Sequence, residues 1–449
     1  MSKLFGTDGV RGIANSELTA ELAFKLGKVG TYVLSKEKER PIVLIGKDTR
    51  ISGDMLEDVI SAGILSMGGN VIKVGVLPTP AIAYLVNYYK ADAGVMISAS
   101  HNTFEYNGIK FFNDAGFKLD DELEDEIENI IMRDIDVSSH ITGDKLGRCL
   151  EADDDALEKY ADFLKSTIDV DITGMKIVLD CANGASYKVA EKVFKDLGAE
   201  VIVIFNEPDG VNINEACGST HTETLQKVVV SKKADLGLAF DGDADRLIAI
   251  DELGRIVDGD KVICICAKML KDCGELTGNK VTATVMSNLG LHKAIEKIDA
   301  TVDVTAVGDR YVLESMLKTG CAIGGEQSGH VIFLNHCTTG DGILSALQLV
   351  RAIKMSGEKV STLSDEIQIF PQVLKNAKVK NENKSKFADD PEIKTEIERV
   401  EKLMSGEGRV LIRPSGTEPK VRVMIEGKDL DAITVLAENL ANMLTEKFG

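Results

Sequence analysis

The feature that most constrains this chain is a segment that occurs twice. "KADAGVMISAS" (Lys90–Ser100) lies without a gap over "KADLGLAFDGD" (Lys233–Asp243). Each reads as a helix end, a short connection, a buried strand and a polar loop. The flanking stretches match as well: "PIVLIGKDTR" and "MKIVLDCANG" are strands running into glycine-containing loops, and "GGNVIKVGV" and "GAEVIVIFN" are second strands preceded by glycine. A weaker third copy runs through "KVTATVMSNLG", "DATVDVTAVGD" and "CAIGGEQSGH". Units of strand, helix, strand, helix, strand favour mainly parallel sheets, with ligands gathering at the carboxyl ends of the strands.

The expected fold class is therefore α/β. It has three related units with mainly parallel mixed sheets and a C-terminal α+β domain, arranged around a central cleft. The expected boundaries are 1–155, 156–255, 256–368 and 369–449. In the last domain, "KNAKVKNENKSKFADDPEIKTEIERVEKLMSGEG" reads as charged and helical. "RVLIRPSGTEPKVRVMIEG" reads as two strands around a turn, and Asp429 to Phe448 as an amphipathic helix.

With 449 residues, 44% of them hydrophobic, the chain can bury several cores. The formal net charge of −20 argues against nucleic acid and anionic membrane as partners. No apolar run is long enough to span a bilayer, and "VICICA" (Val262–Ala267) reads as a buried strand with Cys264 and Cys266 on one face. The N-terminus has no apolar leader pattern, so a cytoplasmic location is expected. The eight cysteines are dispersed, with neither zinc-type pairs nor disulfide spacing. An acidic chain that handles an anion needs local clusters of Arg and Lys.

The loops after the third strands carry the chemistry. "FDGDADR" sets Asp241, Asp243 and Asp245 at alternating positions, where oxygen ligands can converge on a hard cation such as Mg²⁺. An EF-hand is excluded, because Arg246 stands where its turn glycine belongs and a strand precedes the loop. "SASHN" presents Ser100, which has no base beside it if the chain is extended, since His101 would then point to the opposite side. Such a serine can still carry a phosphoryl group, and the repeat places it opposite the aspartates. "GGEQSGH" offers Glu326 and Ser328 to sugar hydroxyls and His330 for proton transfer or a structural bond. Lys110 is suited to acid–base work if positive neighbours lower its pKa. "RPSGTEPKVR" makes an anion nest from Arg413, Ser415, Gly416, Thr417 and Arg422. Thr7 and Arg11 in "FGTDGVRG", with Lys47 and Arg50 in "GKDTRISG", add hydroxyl and positive charge for an anion.

In this order, "FGTDGVRG", "GKDTRISG", "GVMISASHN", "DCANGAS", "CGSTH", "FDGDADR", "VGDRYV", "GGEQSGH" and "RPSGTEP" resemble the α-D-phosphohexomutase superfamily from Phe5 to Pro419. The resemblance implies four domains around a cleft, with Ser100 as the phosphoserine. It implies Asp241, Asp243 and Asp245 as Mg²⁺ ligands, completed by the phosphate on Ser100. Glu326 and Ser328 would bind the sugar, and Arg413, Ser415, Gly416, Thr417 and Arg422 the distal phosphate. Lys110, with Arg11, His330 and Arg246, would complete the catalytic set. Gln327 and Gly416 are similar to the branch that converts glucosamine 6-phosphate to glucosamine 1-phosphate, on the way to the UDP-N-acetylglucosamine of cell walls. That branch works through glucosamine 1,6-bisphosphate, with the glucose bisphosphate as an alternative primer. The sister branches act on mannose and glucose phosphates. Thr103 and Thr222 stand where the superfamily commonly has proline, which would loosen two loops near the site. The implied partner is a small sugar phosphate, and relatives of this kind suggest a homodimer.

Two readings outside this class are weighed beside it. In an aspartyl phosphatase, Asp241 rather than Ser100 would carry phosphate. A non-catalytic sugar-phosphate binder would need Arg413 but not Ser100.

Overall fold

A computed structural model describes residues 4–449 except 7, 35–37, 138–140, 153–154 and 416–417. The chain forms two compact units, Met1–Thr284 with Val302–Asp365, and Val285–Thr301 with Glu366–Gly449.

The first unit carries three sheets, and the repeated segment explains two of them. Lys90 and Lys233 each end a helix in the left-handed conformation, with φ of 52° and 51°. Two residues on, Asp92 and Asp235 play the same part, each accepting at 2.8 Å from the first backbone N–H of a neighbouring strand, Ile42 and Lys176. The strands that follow, Ala93–Ile97 and Leu236–Phe240, are buried at every position. A strand covered on both faces reads as a continuous apolar run, as these do.

In the first sheet the strand order is Val10–Ile13, Tyr106–Asn113, Ala93–Ile97, Ile42–Lys47, Asn70–Val76, Cys149–Leu150. Ile42–Lys47 runs parallel to both neighbours, and Tyr106–Asn113 turns back antiparallel to Ala93–Ile97. The second sheet is ordered Ile256–Val257, Leu247–Asp251, Leu236–Phe240, Lys176–Asp180, Glu200–Ile204, with the same central parallel trio and antiparallel return. The third is a shorter version, Thr301–Thr305, Lys280–Thr284, Ile323–Gly325, Val331–Phe333. In each unit the reactive loop joins the last parallel strand to its antiparallel return, so the three loops occupy one topological position.

A buried polar contact joins the second and third α/β units. Tyr160, on the helix Ala156–Ser166, donates at 2.7 Å to Asp341 Oδ2. The other oxygen of Asp341 caps the helix Gly342–Ser356 through the N–H groups of Ile343 and Leu344. Burial pushes the Asp341 carboxyl up to about 6, against the hydrogen bonds that hold it down. Tyr160→Phe leaves that oxygen buried without its donor, and we expect a loss of about 1–3 kcal/mol in urea unfolding with turnover little changed. An unchanged urea midpoint would show that the hydroxyl contributes nothing.

Two expectations are corrected. Val262–Ala267 is not a strand but lies within the helix Gly259–Asp272, started by Asp258, whose side chain accepts from Lys261 N. This helix is buried on most sides, so its apolar residues run consecutively and the alternation around Cys264 and Cys266 carries no period. All eight cysteines are free thiols.

The second unit contains the antiparallel sheet Gln372–Lys378, Lys420–Gly427, Gly408–Pro414. The helices Pro391–Leu403 and Leu430–Phe448 cover it around Ile393, Val423, Ile425, Leu440 and Leu444. Lys375–Lys378, expected to be helical, is the end of a strand, because the stretch pairs along its whole length with Lys420–Gly427. The helix begins only at Pro391, where Asp390 caps the N–H groups of Glu392 and Ile393. Among the described residues, no helix is long and apolar enough to cross a membrane.

Candidate active site

Ser100 sits at the end of the strand Ala93–Ile97 in a backbone conformation that side chains seldom adopt, with φ of 51°. Several buried groups hold it there. Its N–H donates at 3.0 Å to Ser98 Oγ, and Ser98 donates at 2.6 Å to Asp48. Its carbonyl accepts from Arg50 and from Asn214 Nδ2, each at 2.9 Å. Arg50 also donates to the carbonyls of Asn102, Thr103 and Tyr106, and Asn214 also to that of Asn102. A residue held in a sparsely populated region, at a cost of about 1–3 kcal/mol, persists only where its surroundings over-determine it.

Two sequence expectations change here. Arg50 is fully buried against Asp48, and Lys47 pairs with Asp54 and Glu57, so neither presents charge to a bound anion. The chain is also not extended at Ser100. The left-handed turn brings His101 Nδ1 to 3.5 Å from Ser100 Oγ, so the two side chains are neighbours after all. Burial, then the charges of Arg246 and Arg11, push the His101 pKa down and keep the ring neutral.

Ser100 Oγ donates at 2.6 Å to Asp241 Oδ2. The loops touch through their backbones: a Cβ on Gly242 would lie 2.6 Å from the Ser100 carbonyl oxygen, so only glycine permits this approach. Asp241, Asp243 and Asp245 are buried, and one carboxylate oxygen from each lies within 4.8 Å of the others. Asp243 Oδ2 accepts from Thr79 Oγ1 at 2.6 Å and from Lys110 Nζ at 2.7 Å. Asp243 Oδ1 and Asp245 Oδ1 are buried without a hydrogen-bond partner. Converging, unpaired carboxylate oxygens with no sulfur or nitrogen donor among them fit a hard cation.

The electrostatics pull the three carboxylates apart. Burial, with the charges of Asp245 and Asp243, drives the Asp241 pKa well up. Burial also works to raise that of Asp245, but the His330 hydrogen bond and the charges of Lys110 and Arg246 hold it below the usual range. Arg246 donates its backbone N–H to Asp241 Oδ1 at 3.2 Å, and its side chain faces the same carboxylates.

Lys110 is fully buried, with Nζ 2.9 Å from Asp8 Oδ2 as well as 2.7 Å from Asp243. Its neighbours are carboxylates rather than cations. Burial works to lower its pKa, and Asp243, Asp8 and Asp245 outweigh burial, so the shift is upward, opposite to the sequence expectation. Arg11 pairs with Asp8. Thr7 lies outside the described residues.

In the third loop Glu326 accepts from Gly308 N at 3.0 Å, and Ser328 is exposed. Gln327 donates to Asp258 Oδ2 at 3.2 Å, so it braces the start of the helix Gly259–Asp272. His330 is buried, with Nδ1 3.6 Å from Asp245 Oδ2. Burial opposes its protonation, and Asp245 and Asp309 raise its pKa on balance. Gly340 N donates to Nε2 at 3.0 Å, which reserves that lone pair and leaves the ring proton on Nδ1, facing Asp245.

In the second unit Arg413 and Arg422 face each other across adjacent antiparallel strands. Burial and the Arg422 charge depress the Arg413 pKa. Like charges directly opposite are unfavourable unless an anion joins them. Ser415 is buried, its N–H bonded to the Lys420 carbonyl at 2.9 Å and its own carbonyl to Lys384 at 2.8 Å. Gly416 and Thr417 lie outside the described residues.

Sequence reasoning passed over Asp8, Thr79, Asn214, Lys118 and Asp309 as site residues. Asp8 and Asp309 lie inside quoted motifs and could have been found there. Thr79, Asn214 and Lys118 reach the site only through the tertiary fold.

Three α/β units that each present a polar loop after a parallel strand, followed by an α+β unit, define an enzyme scaffold of the hexose-phosphate mutase type. The family models for phosphoglucomutase/phosphomannomutase match in chain order: alpha/beta/alpha domain I over residues 2–137, domain II over 158–254, domain III over 258–370 and the C-terminal domain over 374–443. The chain belongs to the phosphoglucomutase/phosphomannomutase family. Within it, the chain is 57% identical over 447 residues to the phosphoglucosamine mutase of Clostridium novyi, covering 100% of this chain and 99% of that one. It is 58% identical over 449 residues to the phosphoglucosamine mutase of Thermoanaerobacter, covering 100% of both. A crystal structure of a family protein from Burkholderia thailandensis superposes with a TM-score of 0.83 at 21% identity, covering 99% of this chain and 98% of that one. One of Aspergillus fumigatus N-acetylphosphoglucosamine mutase, in complex with GlcNAc-6P and magnesium, gives 0.69 at 18% identity, covering 99% and 96%.

Proposed function

We propose that this chain is a phosphoglucosamine mutase that interconverts glucosamine 6-phosphate and glucosamine 1-phosphate through a phosphorylated Ser100 and glucosamine 1,6-bisphosphate. The full-length identity of 56–58% to enzymes of that name supports the reaction class. The observation that carries the mechanism is the 2.6 Å contact between Ser100 Oγ and the aspartate cluster.

In the first half-reaction the sugar O1 attacks the phosphorus on Ser100. The P–O1 bond forms, the P–Oγ bond breaks, and one proton passes on balance from O1 to Oγ. In the second half, Ser100 Oγ attacks the 6-phosphate of the reoriented bisphosphate: the P–Oγ bond forms, the P–O6 bond breaks, and one proton passes on balance from Oγ to O6. We assign the sugar side of this transfer to Lys110 and the serine side to His101, which stands 3.5 Å from Oγ and is kept neutral. Asp241, Asp243 and Asp245 would hold Mg²⁺, with the Ser100 phosphate as a further ligand. Bound there, the ion would supply positive charge to the transferring phosphoryl group and neutralise carboxylates that hold the Lys110 proton. Arg11 and Arg246 add fixed positive charge, and His330 supports Asp245. Glu326 and Ser328 take the sugar hydroxyls. Arg413, Ser415 and Arg422, with Gly416 and Thr417, take the phosphate that is not reacting.

The test compares glucosamine, glucose and mannose 6-phosphates as substrates, with Mg²⁺ and the matching 1,6-bisphosphates. We expect the amino sugar to have the highest kcat/KM. Preference for a neutral hexose would retain the mechanism and move the chain to a sister branch.

A further inference from the structure

Lys118 belongs to none of the motifs that mark the family, yet it closes a circuit around the site. Its Nζ lies 2.6 Å from Asp8 Oδ1 and 2.5 Å from Asp309 Oδ2. The other oxygen of Asp8, Oδ2, lies 2.9 Å from Lys110 Nζ and also pairs with Arg11. One carboxylate thus holds two lysines, one on each oxygen. Asp309 opens the helix Asp309–Thr319, directly after Gly308, whose N–H is bound by Glu326 of the sugar loop. His330 Nε2 stands 3.9 Å from Asp309 Oδ2 on the same side.

A salt bridge that merely fastened the first α/β unit to the third would need one carboxylate with no other duty. Here neither carboxylate is free of other partners: Asp8 also pairs with Lys110 and Arg11, and Asp309 Oδ1 accepts from the N–H of Arg310 at 2.9 Å, directly after the Gly308 that Glu326 binds. Lys118 also follows the turn after Tyr106–Asn113, the strand that carries Lys110, and its backbone bridges to Phe112. Both lysines therefore hang from one rigid hairpin.

We propose that Lys118 is a positioning residue that locks Asp8 to Asp309 and so sets Lys110 and Arg11 at a fixed distance from the sugar loop. The inference rests on the reading of Lys110 as a proton-transfer residue. A carboxylate pulled from both sides keeps one rotamer. Released on one side, Asp8 can turn, and Lys110 moves with it. Misplacement of a reacting group by about 1 Å can cost roughly 10²-fold in rate without weakening substrate binding. A cavity of about 240 Å³, lined by Lys110, Lys118, Asp8, Asp309 and His330 among others, lies against this circuit. It gives a neutral replacement of Lys118 room without a clash.

The test uses the full chain with Mg²⁺, and compares Lys118→Met, Lys118→Arg, Asp309→Asn and Lys110→Met. We expect Lys118→Met to lose roughly 10- to 100-fold in kcat, with KM within about twofold and an unchanged melting temperature. Lys118→Arg should recover most of the rate. Lys118→Met combined with Asp309→Asn should be no slower than the worse single variant, because both break the same tie. Loss confined to KM, a kcat loss that tracks lost stability, or losses that multiply in the double variant would overturn the proposal. If Lys118→Met does not fold, Asp309→Asn carries the test, with the same split between kcat and KM expected. Lys110→Met separates the two readings. If that variant still turns over, the role given to Lys110 fails; if it is inactive while Lys118→Met is as fast as the parent, only the tie fails.

Discussion

Ser100→Ala is expected to lower kcat by roughly 10⁴-fold or more, the scale on which removing the nucleophile of a covalent mechanism acts. The site is built around that one oxygen. Arg50, Asn214 and Ser98 hold the loop by its backbone, so the loop keeps its shape when the hydroxyl is removed. Alanine is small enough for the buried position, and the lost contacts are the bond to Asp241 and the longer approach to His101. The melting temperature should therefore change little, which separates a chemical defect from a folding one. Intact-protein mass after incubation with glucosamine 1,6-bisphosphate should show one phosphoryl group on the parent and none on the variant. Near-normal turnover by Ser100→Ala would falsify the phosphoserine scheme. It would point to Asp241 as the phosphate carrier, with inorganic phosphate accumulating as in a phosphatase.

The α/β class was legible because the repeat is enforced by the backbone. The helix stop at Lys90 and Lys233, the aspartate two residues on and the fully buried strand are local devices that leave the same letters in both copies. The aspartate cluster was legible for a similar reason, since three ligands within five residues need only one loop to converge. What was not legible depends on distant neighbours. Lys110 was read as suited to acid–base work if cations stood beside it, and its environment is set instead by Asp8, 102 residues upstream, and Asp243, 133 residues downstream. His101 was set aside on the geometry of an extended chain, and the turn at Ser100 is imposed by Arg50 and Asn214 from other parts of the fold. Val262–Ala267 was taken for a strand because six consecutive apolar residues show no period of their own; the helical period lies in the charged residues around them, Lys261, Lys268, Lys271 and Asp272.

Asp241→Asn is expected to abolish the response to metal while leaving the metal-free protein as stable as before. In the metal-free protein, burial and the charges of Asp245 and Asp243 drive the Asp241 pKa well up. Removing a charge that burial and two like charges already oppose offsets the one bond asparagine loses. Its carbonyl still accepts from Ser100 Oγ, while its amide faces the Arg246 N–H that donates to Oδ1 in the parent. With Mg²⁺ the comparison reverses. A ligand that binds only the folded state stabilises it by RT ln(1 + [L]/Kd), or about 2.7 kcal/mol at a hundred times Kd. The parent should therefore melt at a rising temperature as Mg²⁺ is added, because the unpaired oxygens of Asp243 and Asp245 gain a cation. The variant, with one ligand charge removed, should show little of that rise. Its kcat should fall by roughly 10²–10³-fold, corresponding to the several kcal/mol that a bound cation supplies in phosphoryl transfer. Scanning fluorimetry against Mg²⁺ concentration, for both proteins treated first with chelator, decides the matter without an activity assay. An equal rise in the two would move the metal away from this loop. A variant that melts well below the parent without metal would mean that the Arg246 bond to Asp241 outweighs the relief of like charge.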